Sequence, residues 1–370
     1  MKPVIDMEKE YGLVFDGGGA RGAYQAGAWK ALAEAGLKIN AVAGTSVGAL
    51  NGALVCMGDV ELAESIWKEI SFSKVMDVDD AWMEILFQKG QPFKEVVNAG
   101  LRVIREGGVD ITPLRNLIRS VVEEDRIRNC GKEFCLQTFC LSDMEELDLS
   151  LSEIPEGLLC DFLLASAYLI GFKNEPLHGS RYVDGGAVNN VPVNALLKRG
   201  YKDIIEVRIY GPGRIPKVHF PEDGTFYRVA PRVRLGSILE FSAKRSAQNL
   251  KIGYYDAKRM LYGLEGHIYY LEQCWDDEFY REVMSGFRDI EKAEILLELK
   301  LPPRSTDKEL FLGMLEAAAK LLRVQKYHVY TVKELLEKVE QKRSKEDRKL
   351  PRFTEYLERA GEIIKTREGL

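Results

Sequence analysis

The chain has 370 residues, 46% of them hydrophobic, and 52 Lys and Arg against 57 Asp and Glu give a net charge of −5. That is apolar material enough for one large core, or a large and a small one, and the acidic balance argues against a nucleic-acid partner. No apolar run reaches the ~18 residues of a membrane span, and the charged opening MKPVIDMEKEYG lacks the apolar centre of a secretion signal, so a cytoplasmic location is expected.

Residues 11–15 read as a short buried strand, 20–35 as a helix closed by Gly36, 39–43 as a second strand and 47–57 as a second helix. Strand and helix alternating at this pace imply a parallel sheet with crossover helices. Residues 61–125 read as mostly helical. Within them stands the Trp- and Met-bearing stretch AWMEILF (81–87), followed by residues 88–93. Strands are expected at 134–141, 147–152, 181–183 and 203–209, and a helix at 157–167. A loop rich in Pro and Gly (211–224) precedes a long helix at 235–262 and a late strand at 267–271. From Pro302 onward the chain reads as charged helices with a solvated face. The six cysteines are Cys56, Cys130, Cys135, Cys140, Cys160 and Cys274. They show no zinc spacing and are expected to be reduced, mostly buried thiols.

The stretch DGGGARG (16–22) closes the first strand. A glycine-rich turn between strand and helix lets backbone amides meet a negative charge. A Walker A loop would need Lys and Ser or Thr after Gly22, where Ala23 and Tyr24 stand. A dinucleotide fingerprint would need an acidic residue at the end of the second strand. That strand ends instead in GTSVG (44–48), which is G-x-S-x-G, a serine on a sharp strand-to-helix turn. With Ser46 as a nucleophile on the neighbouring strand, the glycine amides face the place where a carbonyl oxygen would become an oxyanion. A base is then required. His178, His219, His267 and His328 lie in no glycine-flanked turn, whereas Asp184-Gly185-Gly186 ends a strand, where open α/β sheets build their sites.

DGGGARG, GTSVG and DGG in this order, with VDITPLRNLI (109–118), LLASAYLIGF (163–172) and DGGAVNNVPVNAL (184–196), resemble the patatin-like phospholipases. The resemblance is close over 11–210 and looser over 211–300. It implies a three-layer α/β/α fold with a mostly parallel central sheet, a hydrolase domain over 8–300 and a small helical region over 301–370. It implies a serine–aspartate lipid acyl hydrolase working through an acyl-enzyme. Ser46 would be the nucleophile and Asp184 the base. The amides of Gly17, Gly18, Gly19 and Arg21 would form the oxyanion hole, and Arg21 would offer a cation to the developing charge or a lipid phosphate. The expected substrate is a lipid or small ester met with peripheral membrane contact, and no metal or organic cofactor is implied. AWMEILF (81–87), with residues 88–93, is then read three ways: a wall of an acyl pocket, a contact with a lipid surface, or an amphipathic helix facing the core. Where the family often has proline after A-S-A, this chain has Tyr168-Leu169-Ile170-Gly171. The competing readings are a Ser-His-Asp esterase of the α/β-hydrolase type, and a catalytically silent lipid- or nucleotide-binding scaffold.

Overall fold

Strand β1 (Glu10–Phe15) is buried from Tyr11 to Phe15, the mark of a central strand covered on both faces. It pairs in parallel with β2 (Lys38–Thr45) on one side and β6 (Asp203–Val207) on the other. Parallel pairing continues from β2 to β3 (Glu133–Cys140) and from β6 to β7 (Thr225–Val229). Two antiparallel strands, β4 (Glu145–Ser150) and β5 (Tyr182–Asp184), join β3. The strand order is β4-β3-β2-β1-β6-β7, with β5 also on β3. The computed structural model describes residues 1–87, 108–169, 171–273, 275–347 and 349–368; residues 88–93 and Cys274, singled out above, lie outside the described residues.

Helices cover both faces, as β2 shows. Val42 and Phe134 lie under α2 (Val47–Met57), close enough that a Cβ on Gly52 would touch both. Ala41 and Ala43 face the other way and pack with Val193, Ala195 and Leu196, which α8 (Val193–Leu197) carries. The other α-helices ahead of α8 among the described residues are α1 (Ala23–Glu34), α3 (Val60–Lys68), α4 (Asp80–Phe87), α5 (Thr112–Val121), α6 (Glu124–Arg128) and α7 (Leu159–Ser166). The expected three-layer α/β/α arrangement with a mostly parallel sheet is the observed one. Two expected helices start late. The first opens with a 3-10 turn, Gly19–Gly22, ahead of α1. The helix expected from 235 is α9, Ala243–Tyr262, because Gly236 adopts φ 92° and the carbonyls of Gly236 and Ile238 turn toward Arg21 and Ala20. The sequence reading did not include β7.

The described residues divide into two units, Ile5–Met260 and Met1–Val4 with Leu261–Leu370. The second holds α10 (Asp277–Ser285), α11 (Asp289–Leu299), α12 (Asp307–Leu321), α13 (Val332–Arg343), α14 (Phe353–Glu368) and a two-stranded sheet, β8 (Tyr270–Leu271) with β9 (Val329–Tyr330). Tyr269, Tyr280, Met284 and Ile295 share one core with Phe311, Leu315, Leu335 and Leu357. Packing therefore groups 261–300 with the C-terminal helices, ahead of the 300/301 boundary expected from sequence. Thr306 with Glu309 and Thr331 with Glu334 form capping boxes that start α12 and α13. Cys56, Cys130, Cys135, Cys140 and Cys160 carry no disulfide. Among the described residues no helix is long and apolar enough to cross a membrane.

Candidate active site

The register of β3 brings two distant residues together. β2 pairs with β3 as far as Thr45, opposite Gln137. Since β4 occupies the other edge, the next rung on this edge, Thr138, is taken by Asp184 of β5, running the opposite way. Ser46 follows Thr45 directly, so two converging strand ends deliver a hydroxyl and a carboxylate to one spot.

Ser46 sits at φ 56°, ψ −127° immediately before α2. Such a conformation costs a non-glycine residue on the order of 1–3 kcal/mol and persists only where its surroundings hold it. Its N–H donates to Ser166 Oγ at 2.9 Å, and the Ser166 hydroxyl donates to Gln137 O at 2.6 Å. Thr45 Oγ1 donates to Asn189 O at 2.8 Å. A Cβ on Gly44 would lie 2.2 Å from Gly48 O, and one on Gly48 would lie 2.4 Å from Phe15 O. The two glycines of GTSVG thus let the first turn of α2 sit against the ends of β1 and β2.

The Asp184 carboxylate is buried. Oδ1 accepts the Gly186 N–H at 2.8 Å, and Oδ2 has no hydrogen-bond partner among the described residues. Burial pushes its pKa up to about 6, against the opposing pull of the neighbouring Ser46 hydroxyl and the Gly186 amide. No histidine among the described residues bonds to Ser46 or Asp184. His178, the nearest in sequence, is exposed and pairs with Asp161 Oδ2 at 2.7 Å.

The glycine turn divides its labour. The Gly17 N–H donates to Asn190 O at 3.1 Å and the Arg21 N–H to Gly18 O at 3.2 Å, so two of the four amides expected to face an oxyanion are already engaged. Those of Gly18 and Gly19 have no partner among the described residues. Gly19 adopts φ 53°, and a Cβ there would strike Ile238 O at 2.2 Å. Asp16, fully buried, accepts from Arg208 Nε at 3.0 Å, Ile209 N at 2.8 Å and Tyr210 N at 3.1 Å. Burial lifts its pKa to about 6, with Arg208 and the two amides pulling down. The Arg21 guanidinium, expected to offer its charge to substrate, donates instead to three carbonyls: Gly236 O at 2.9 Å, Tyr210 O at 2.6 Å and Ile209 O at 3.3 Å. Asp16 and Arg21 together hold loop 208–211 against the turn.

Beside Ser46 lies an apolar cavity of about 90 Å³, bordered by Gly19, Leu50, Leu54, Trp67, Ile118 and Phe241 among others. Leu50 and Leu54 follow Ser46 at one and two turns along α2, on the same face. Residues 81–87 do not line it; α4 buries Met83 and leaves Trp82 and Ile85 exposed. Besides Ser46, the polar side chain of Asn51 stands in the cavity wall. Its Oδ1 accepts Trp67 Nε1–H at 3.0 Å, and its Nδ2 donates to Gly22 O and Gln25 Oε1, each at 2.9 Å. Gln25 Nε2 donates in turn to Asp16 O at 2.7 Å. The cavity wall is thereby tied to both ends of the glycine turn.

Sequence reasoning gave no role to Ser166, Asn51, Asn189 or Asn190. Asn190 Nδ2 bonds Gly211 O at 3.1 Å and Gly17 O at 3.4 Å, locking the DGG turn to the glycine turn. Proximity to a motif was the only signal any of them carried.

A family model for patatin-like phospholipase matches residues 13–197, a span that contains Ser46, Asp184 and the glycine turn. Patatin-like phospholipase domain-containing protein 7 of Mus musculus is 27% identical over 205 residues, 53% of this chain and 13% of its own length. Neuropathy target esterase sws of Drosophila melanogaster is 30% identical over 202 residues, 54% of this chain and 13% of its own. Lysophospholipase NTE1 of Kluyveromyces lactis is 27% identical over 212 residues, 54% of this chain and 12% of its own. The chain thus spans a small part of these relatives. The solved structure of VipD from Legionella pneumophila aligns over 96% of this chain and 86% of its own, with TM-score 0.43 and 13% identity. With the family model covering half of its residues and all three motifs inside that half, the chain belongs to the patatin-like phospholipase family.

Proposed function

We propose that the protein is a serine acyl hydrolase cleaving fatty-acyl esters of lipids, with Ser46 as nucleophile and Asp184 as the only base. The observation that carries this reading is a serine in a strained turn beside a buried carboxylate whose second oxygen is unpartnered. With a pKa of about 6, Asp184 is mostly ionised at neutral pH. It accepts the Ser46 proton while Oγ bonds to the ester carbonyl carbon. The carbonyl oxygen becomes an oxyanion and takes hydrogen bonds from the Gly18 and Gly19 amides, with the positive end of α2 nearby. Collapse of the adduct breaks the ester C–O bond. The proton passes from Asp184 to the departing alcohol, and the acyl group stays on Ser46. Water then gives Asp184 a proton as its oxygen adds to the acyl carbon. The second collapse frees the fatty acid and returns the proton to Ser46.

The cavity supports an acyl chain as the recognised part of the substrate. Each methylene buried there is worth about 0.8 kcal/mol, or roughly fourfold in binding. The name of the Kluyveromyces lactis relative, a lysophospholipase, supports the same substrate class. A fluorophosphonate probe tests the assignment. It should add once, to Ser46, as read by peptide mass, and should fail on Ser46→Ala. Undiminished labelling of Ser46→Ala, or no labelling of the native protein, sinks the proposal.

A further inference from the structure

A second depression, of about 680 Å³, also borders the glycine turn and is lined by Arg21, Tyr210, Arg232, Val233, Arg234 and Leu235 among others. Among the described residues three arginines and no carboxylate border it, in a chain whose net charge is −5. The segment Arg232-Val233-Arg234 is exposed throughout, an apolar side chain between two cations. Val233 is 40% exposed and Tyr210 52%. The carboxylate of Glu240, the nearest acid in sequence, is turned to Arg245 Nε at 3.2 Å.

The exposure of Tyr210 is built in. Its backbone is held at φ 52°, with its N–H on Asp16 and its carbonyl on Arg21. A bulky residue at positive φ is strained. Here the two charged ends of DGGGARG hold it there, with its ring stacked near the Arg208 guanidinium, 5.0 Å from the ring centre, and open to solvent. Interleaved arginines and apolar side chains on one rim are what an anionic interface selects. The guanidinium groups meet phosphates, while Tyr and aliphatic side chains enter the headgroup boundary.

We propose that this rim, Tyr210 with Arg232, Val233 and Arg234, is the surface on which the protein docks to an anionic lipid bilayer. The proposal rests on the acyl-hydrolase reading in one respect. The glycine turn borders both depressions, with Gly19 at the cavity and Arg21 at the basic groove. A lipid drawn from the docked surface would place its acyl chain in the cavity while its phosphate stays beside Arg232 and Arg234.

The test uses the full chain carrying Ser46→Ala, so that vesicles stay intact, in co-sedimentation with phosphatidylcholine vesicles with and without phosphatidylserine. Binding should require phosphatidylserine and weaken at raised salt. Arg232→Glu with Arg234→Glu should lower it at least tenfold, and Val233→Glu alone should lower it severalfold. The milder pair Arg232→Gln with Arg234→Gln should fall between, and unchanged circular dichroism checks that each variant folds. The charge-reversed pair in an otherwise native chain should hydrolyse a soluble short-chain p-nitrophenyl ester at the native rate. Equal binding to neutral and anionic vesicles, or no response to charge reversal, overturns the docking surface. So does a concentration-dependent dimer that Val233→Glu dissolves in the absence of vesicle binding, since it gives the rim to a second copy of the chain. Loss of esterase activity in the native protein with anionic binding intact would refute the hydrolase reading and leave the surface standing.

Discussion

Asp184→Asn separates what the carboxylate does for chemistry from what its burial does to the fold. Burial raises its pKa from 3.8 to about 6, roughly two units, which corresponds to about 3 kcal/mol. The sign follows from proton binding. The folded protein holds this proton more tightly than the unfolded chain does. The favourable contribution is therefore full below about pH 4 and is lost as pH rises through 6; above that the ionised group weakens the fold. Asparagine cannot ionise, so the variant escapes this loss. The expected result is a stability gain over the native protein that is absent near pH 4, grows to pH 6 and levels off at about 3 kcal/mol by pH 8. Denaturant unfolding at a series of pH values reads it directly. Asp16, also raised to about 6 by burial, is present in both proteins and cancels. The same variant should lose about 10²–10⁴ in kcat, the range of a general base, and native kcat/KM should fall as pH drops below about 6. A pH-independent stability difference, or a kcat within tenfold of native, would refute the reasoning.

Ser166→Ala orphans two buried groups, the Ser46 N–H and the Gln137 carbonyl. At about 1–3 kcal/mol each, the variant should lose several kcal/mol in denaturant unfolding and drop in kcat while KM stays near native. Gly19→Ala forces a Cβ onto Ile238 O and shifts an oxyanion donor. Turnover should fall by about 10²–10³, measured on a p-nitrophenyl ester, with fluorophosphonate labelling slowed in parallel. Asn51→Leu cuts the ties from the cavity wall to Gly22 and Gln25. It should lower kcat for long and short esters alike, whereas a mere packing change would raise KM for long ones only.

The sheet and the turns that carry Ser46 and Asp184 were legible because their signals are local. An apolar run such as LVF buries as a central strand, and the span expected for α2 is the span observed. GTSVG announces its own turn, since only glycine at 44 and 48 fits the backbones that close on it. What stayed hidden depends on pairing across the chain. Thr138 marks where β2 hands its edge of β3 to β5, and no local pattern encodes that exchange. Ser166 looks like any small helical residue until its hydroxyl is seen bridging two strand ends. Strand β7 alternates weakly and follows a Pro- and Gly-rich stretch, so no strand was read between that loop and the long helix. The grouping of 261–300 with the C-terminal helices was hidden for a similar reason: Tyr269, Tyr280 and Ile295 look like any core residues until their partners at 311–357 are known.

The glycine turn also shows why a motif and its chemistry are not coextensive. Of DGGGARG, the amides of Gly18 and Gly19 remain for an oxyanion, while Asp16, Gly17 and Arg21 are spent on holding the surroundings in place. Burying Asp16 as a carboxylate is unfavourable by itself, which is why its pKa rises. The Arg208 guanidinium and two amides offset that burial, and in doing so fix residues 208–210 beside the turn. Arg21 fixes the same segment through its carbonyls and reaches across to Gly236. An oxyanion hole works only if its donors are already aimed before charge develops. Two free amides on a glycine backbone have no side chains to aim them. The ion pair below and the guanidinium above supply that rigidity, and Asn190 closes the third side by bonding Gly17 and Gly211 together. Sequence reading offered Arg21 to the substrate; the contacts that Arg21 and Asp16 make are with the backbone around the turn.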